Sequence, residues 1–130
     1  MIKKAKFLAK EALLRVKYMT SRDCIFCKIV AGEIKTKKIY ESTSVVAFDD
    51  INPVAKVHVL IVPKAHVESV LTVTSGDSGA IIDMFVAAQN LVKKLNLGAF
   101  RLAFNGGRFQ HVPHLHWHLV SGDKIDWSKL

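Results

Sequence analysis

The apolar positions of this chain change period several times, and each change marks an element. Between residues 2 and 19, Ile2, Ala5, Leu8, Ala12, Val16 and Met19 recur at helical spacing among lysines, which predicts a basic amphipathic helix. A short helical turn is expected next, capped by Asp23, carrying Cys24, Ile25, Phe26, Cys27 and Ile29, and stopped by Gly32. Lys38–Glu41 and Val45–Asp49 read as two strands joined by a Ser/Thr turn. Asn52-Pro53 breaks the chain, and Val57–Val62 is an apolar strand. From Ser78 to Asn96 the period returns to 3.6: Ile81, Met84, Phe85, Ala88, Leu91, Val92 and Leu95 form the expected core stripe, with Gly98 as terminator. Phe100–Phe104 and His114–Val120 close the series as strands, separated by a turn at Asn105-Gly106-Gly107. Strands outnumber helices and mostly follow one another. That predicts an α+β domain with an antiparallel sheet.

Composition adds limits. With 130 residues the chain holds one core, and no apolar run approaches the roughly 20 residues that span a bilayer, so no transmembrane segment is expected. The net charge of +8 suggests a polyanion partner until it is divided along the chain. Six cations (Lys3, Lys4, Lys6, Lys10, Arg15 and Lys17) against Glu11 leave +5 on residues 1–20, and the other 110 residues carry only +3. Dedicated nucleic-acid binding is not expected of so mildly basic a domain. The division also sets the boundary: residues 1–20 form an extension and 21–130 the domain. The extension reads as a helix packed on the domain, a basic surface or targeting segment, or a start codon set upstream of true initiation at Met19.

Cys24 and Cys27, spaced C-x-x-C, are the only cysteines. Two do not make the disulfide framework of a small secreted chain, and no secretory leader pattern is seen, so a reducing cytoplasm with thiols free or metal-bound is the expectation. No thioredoxin-like βαβ unit follows the pair.

Four of the six histidines fall within eight residues: His111, His114, His116 and His118. The last three alternate with Leu115, Trp117 and Leu119. On a strand, side chains repeat on one face about every 6.6–7 Å, so three imidazoles share a face while the apolar residues enter the core behind. A polar strand face that merely happens to be histidine, a metal tripod and a covalent catalyst all fit that placement. The catalyst is chemically natural. Imidazole is neutral at pH 7, and an acceptor on one ring nitrogen decides which nitrogen attacks. Flanking donors then serve the phosphoryl oxygens, and no acidic cluster of the Mg²⁺-binding kind is visible.

His114-Leu115-His116-Trp117-His118-Leu119-Val120 fits the pattern His-φ-His-φ-His-φ-φ, where φ is apolar, at every position. The chain here resembles the histidine triad family over roughly residues 22–127. Cys24-Ile25-Phe26-Cys27-Lys28-Ile29, Phe48-Asp49-Asp50-Ile51-Asn52-Pro53 and His58…Pro63-Lys64-Ala65-His66 are similar to its Hint-like branch, the nucleoside phosphoramidases. The resemblance implies a five-stranded antiparallel sheet flanked by helices, paired in a homodimer through a continuous sheet, with the N-terminal helix as an addition. It implies His116 as the nucleophile that forms a nucleotidyl-histidine intermediate, with His118 and His58 lining the phosphate and Asn105 ordering the site. Asp50 matches the acid that binds the ribose hydroxyls, and Ile25, Phe26, Ile29, Phe48, Ile51 and Leu60 match the walls around a purine. Trp127 matches the Hint-like tail. In zinc-bearing relatives the partners of the cysteine pair match His66 and His114, which implies a structural Cys₂His₂ zinc and no organic cofactor.

One loop departs from that pattern. Phe109-Gln110-His111 stands where the branch has a Gly-Gln-Ser-like run around the phosphate, and the connection to His114 is about two residues shorter. Gln110 is retained as a substrate-binding position, and His111 takes the place of the missing hydroxyl as proton donor to the leaving group. Arg108 adds positive charge, which keeps dinucleoside polyphosphate hydrolysis as an enzymatic alternative. A nucleotide-occupied sensing or interaction module is the alternative from another class.

Overall fold

The computed structural model describes residues 23–130. The helix expected over residues 2–19 lies outside them. Two α-helices, α1 (Ile25–Val30) and α2 (Ser78–Lys94), accompany five strands: β1 (Lys38–Glu41), β2 (Val45–Asp49), β3 (Val57–Pro63), β4 (Arg101–Ala103) and β5 (Trp117–Ser121). The strands form one sheet in the order β1-β2-β3-β5-β4, antiparallel throughout. The α+β expectation therefore holds.

Register separates the two faces. Phe48 lies opposite Leu60 and Leu60 opposite His118, so these residues share a face with Val46, Val62 and His58. Ala47 opposite Ile61 and Ile61 opposite Trp117 define the other face. Against the second face packs α2, through Met84, Ala87, Ala88 and Leu91, together with Leu115 and Leu119. Each fully buried Met or Leu there contributes about 1.5–3 kcal/mol. Over the histidine face lies α1, burying Cys24, Phe26 and Ile29 against Val46, Phe48, Leu60 and Val62. The histidine face is thus interior.

Several boundaries differ from the sequence expectation, each for a visible reason. The last strand begins at Trp117, not His114: the Leu115 N–H donates to the Val67 carbonyl at 2.6 Å, and Pro63 at the end of β3 has no N–H for the ladder. Side chains nevertheless keep their alternation through Leu115 and Trp117. β4 is Arg101–Ala103, leaving Phe100 and Phe104 half-exposed outside it. α1 is capped by the Cys24 sulfur, which accepts the Cys27 N–H at 3.2 Å, rather than by Asp23. Gly32 does end α1, at a φ of 80° that suits glycine. Of the core stripe expected for α2, Phe85 and the C-cap Leu95 stand exposed, and Ala87 takes a core place instead.

The end of α2 also differs. Asn96, not Gly98, adopts the left-handed conformation, with φ of 53°. Its N–H bonds the Lys93 carbonyl at 3.1 Å and the Leu97 N–H bonds the Val92 carbonyl at 2.9 Å, the paired bonds of a Schellman cap. Asn96 is exposed, so its contribution is one of backbone conformation. Asn96→Gly should leave urea-denaturation stability unchanged or slightly raised, whereas Asn96→Val should lower it by about 1–2 kcal/mol.

Candidate active site

His116 is buried between the start of β5 and α1. Its Nδ1–H donates to the backbone carbonyl of His114 at 2.7 Å. That bond places the proton on Nδ1 and leaves the lone pair on Nε2. The Phe26 ring stands edge-on to the imidazole at 5.0 Å and holds its plane. Burial pushes the His116 pKa below its usual value, opposed by the bond to His114, so the ring is neutral near pH 7. The result is a neutral, oriented imidazole nitrogen.

A second chain of bonds fixes His58 and His118. The Val54 N–H donates to His58 Nδ1 at 3.1 Å, so the His58 proton is on Nε2. His58 Nε2–H then donates to His118 Nδ1 at 2.8 Å, with an Asp50 carboxylate oxygen at 3.4 Å as a longer second acceptor. His118 therefore carries its proton on Nε2, and that atom is buried without a hydrogen-bond partner among the described residues. An unsatisfied buried N–H is costly, and here it is a donor ready for an oxyanion. Burial, reinforced by His116 and His58, lowers the His118 pKa to about 4.

His114 faces the other way. Its Nε2–H donates to the Pro63 carbonyl at 2.8 Å, which leaves Nδ1 to face Cys24 Sγ at 3.3 Å, Cys27 Sγ at 3.5 Å and His66 Nδ1 at 3.1 Å. Cys27 Sγ is also 3.2 Å from His66 Nδ1. A tetrahedral zinc with ordinary bond lengths needs edges of about 3.3 Å between nitrogens and about 3.6 Å between sulfur and nitrogen. The four side chains match that donor set and those spacings, all four ligand atoms lying within 4.8 Å of one another. Asp50, His58 and His118 also cluster, but the Val54 N–H occupies Nδ1 of His58 and its Nε2 is protonated, so no lone pair is left for a metal. The three triad histidines do not converge as a tripod.

The expected base walls divide. Phe26, Ile29, Phe48 and Leu60 are buried, whereas Ile25 and Ile51 stand at the surface, Ile51 at 88 % exposure. Asp50 is half-buried and its other oxygen accepts the Asn52 N–H at 2.8 Å. The Gln110 side-chain amide donates to the carbonyls of Glu68 and Val112, at 2.8 and 3.0 Å, and so pins the loop before the triad. His111, exposed on that loop, lies within electrostatic reach of His116 and His118. Asn105 is half-buried, and Arg108 stacks on Phe109 at 4.6 Å. Trp127 stands apart: Arg101 lies over its ring at 5.2 Å, and it borders a groove at the β4 edge whose lining contains no histidine. Sequence reasoning missed the backbone partners, the Val54 N–H and the Pro63 and His114 carbonyls, because a backbone group carries no residue signature.

The His118 pKa has a consequence for stability. A histidine lowered from 6.5 to about 4 binds its proton more readily in the unfolded chain, so stability is full above pH 6.5 and falls as pH drops from 6.5 towards 4. His118→Asn should flatten this limb: from pH 7 to 5 its melting temperature should fall less than that of the wild type. Parallel declines would assign the acid sensitivity elsewhere.

Comparison with known proteins agrees with this arrangement. Residues 23–129 match the family described as "Scavenger mRNA decapping enzyme C-term binding". A HIT-like protein of Methanocaldococcus jannaschii is 39% identical over 99 residues, covering 75% of this chain and 77% of its own length. The adenosine 5'-monophosphoramidase HNT1 of Candida albicans is 35% identical over 107 residues, covering 75% and 68%. A histidine triad protein from Clostridium difficile superimposes with a TM-score of 0.75 at 39% identity, over 80% of this chain and 94% of that one. A zinc-bound histidine triad family protein from Mycobacterium smegmatis does so at 0.71 and 28% identity, over 82% of each. Four buried imidazoles on this sheet and these relatives together make the chain a member of the histidine triad family, on its Hint-like branch.

Proposed function

We propose that the protein is a nucleotidyl hydrolase or transferase acting on purine nucleoside phosphoramidates or related nucleotide conjugates. The observation that carries the reading is the bond from His116 Nδ1–H to the His114 carbonyl, which leaves Nε2 as the attacking atom. In the first step Nε2 attacks the α-phosphorus, a new N–P bond forms, and the bond to the leaving amine breaks as the amine takes up a proton. His118 Nε2–H, aligned through His58, donates to a phosphoryl oxygen. His111 supplies the proton to the leaving group, and Gln110 holds the loop that brings it there. Water then attacks phosphorus, releasing a nucleoside monophosphate and restoring His116. Asp50 takes the ribose hydroxyls, and Phe26, Ile29, Phe48 and Leu60, with the surface residues Ile25 and Ile51, face the base; Asn105 orders the phosphate loop. The monophosphoramidase relative supports this substrate class.

Cys24, Cys27, His66 and His114 would hold a structural zinc; the spacings above and the zinc-bound relative support it. Held by these four side chains, zinc would cross-link the turn of α1 to the segments carrying His66 and His114. A second copy of the chain completes the assembly: among the described residues β4 is an open edge strand, and Phe100, just before it, is exposed. Trp127, remote from the histidines, borders that edge. No described helix is long and apolar enough to cross a membrane.

His116→Ala should lower turnover of an adenosine phosphoramidate by several orders of magnitude while nucleotide affinity and melting temperature stay near wild type. Full activity in that variant would reject the mechanism. Protein purified without chelator should contain close to one zinc per chain by elemental analysis, and Cys24→Ser should lower both zinc content and melting temperature. Zinc-free protein of unchanged stability would reject the metal site.

A further inference from the structure

The reading above gives the cysteines and His66 only a metal to hold. Their most direct link to the nucleophile runs through His114. His114 offers Nδ1 to the cluster, donates Nε2–H to the Pro63 carbonyl at 2.8 Å, and receives the His116 Nδ1–H on its own backbone carbonyl at 2.7 Å. Its side chain is fully buried, so a shift of the ring is passed to the backbone that carries it. Phe26 makes a second route. It sits inside the C-x-x-C turn, edge-on to His114 at 5.9 Å and to His116 at 5.0 Å. That turn is itself folded around the Cys24 sulfur, which caps it.

The His114 carbonyl has a specific task. A histidine ring left in water prefers its proton on Nε2, and on His116 that is the atom that must attack. Only an acceptor held firmly at Nδ1 reverses the preference.

We infer that Cys24, Cys27 and His66 are positioning residues for the nucleophile: by tying down the His114 ring they hold the His114 carbonyl where it keeps the His116 proton on Nδ1. The inference rests on the proposed role of His116. The His66 ring is the cleanest place to test it: the residue is half-buried and its Nε2, itself buried, has no hydrogen-bond partner among the described residues, so replacing it breaks no hydrogen bond to them outside the cluster.

The test compares full-length wild type with Cys27→Ser, His66→Asn and Cys27→His, the last keeping four ligating side chains. Each is measured well below its melting temperature, with circular dichroism showing the fold intact. Three quantities are read: zinc per chain, kcat and KM for an adenosine phosphoramidate, and the His116 tautomer from long-range proton–nitrogen NMR correlations. Cys27→Ser and His66→Asn should lose zinc, lower kcat by about tenfold or more with KM within about twofold, and shift His116 towards the Nε2–H form. Cys27→His should retain zinc and recover both kcat and the Nδ1–H form. Lost zinc and lowered melting temperature with an unchanged tautomer and kcat would make the cluster purely structural and overturn the inference. Should Cys27→Ser fail to fold, His66→Asn decides alone. A wild type that turns over no phosphoramidate would overturn the functional reading, while the tautomer measurement would still decide this one.

Discussion

Four imidazoles, those of His58, His114, His116 and His118, are buried on one side of a sheet, and the rest of the structure follows from making that tolerable. A buried imidazole must be neutral, and each of its nitrogens must be satisfied in its one remaining role. Burial lowers all four pKa values, which removes the charge. The neighbours of each ring then decide its tautomer. Two carbonyls, those of Pro63 and His114, take ring protons, and one N–H, that of Val54, donates to a ring lone pair. When every assignment is made, a His118 N–H, a His116 lone pair and a His114 lone pair are left over. The first two are what nucleotidyl transfer requires, and the third faces the cysteine pair.

This arrangement explains why a helix as short as α1 has to lie where it does. Its six residues cannot be stable alone. Folded around the Cys24 sulfur and packed through Phe26 and Ile29 on β2 and β3, the turn closes the histidine face from water and sets the rings edge-on to Phe26. The opposite face of the sheet is conventional by comparison, an amphipathic helix on Val, Ile and Leu side chains.

How much of this was legible in the sequence varies with the kind of signal. The strands of period two and the alternation of His114, His116 and His118 with Leu115, Trp117 and Leu119 were readable, because the side-chain period survives even where the ladder stops. The beginning of β5 was not, since Leu115 gives its N–H to Val67, a loop residue with no pattern to announce it. The cysteine pair and its two distant histidines were readable only through the family resemblance, and the fold brings all four within reach. Phe85 and Leu95 were expected in the core because helical periodicity does not say how wide the covered stripe is. Asp23 lost the cap position to Cys24 because a sulfur drawn towards His114 also sits over the first turn of α1. Asn96 ended α2 in place of Gly98 because the left-handed position falls two residues earlier, and asparagine tolerates it.

The proposed attack of His116 Nε2 on phosphorus is measured most directly through a covalent adduct. The protein should be mixed with an excess of an adenosine phosphoramidate, quenched within milliseconds under mildly alkaline denaturing conditions that preserve a phosphorus–nitrogen bond, digested, and analysed by mass spectrometry. An acid-labile adenylyl group on the peptide bearing His116, absent from His116→Ala, is the predicted result. Turnover at full rate with no adduct, or an adduct on His118 or His58 instead, would contradict it.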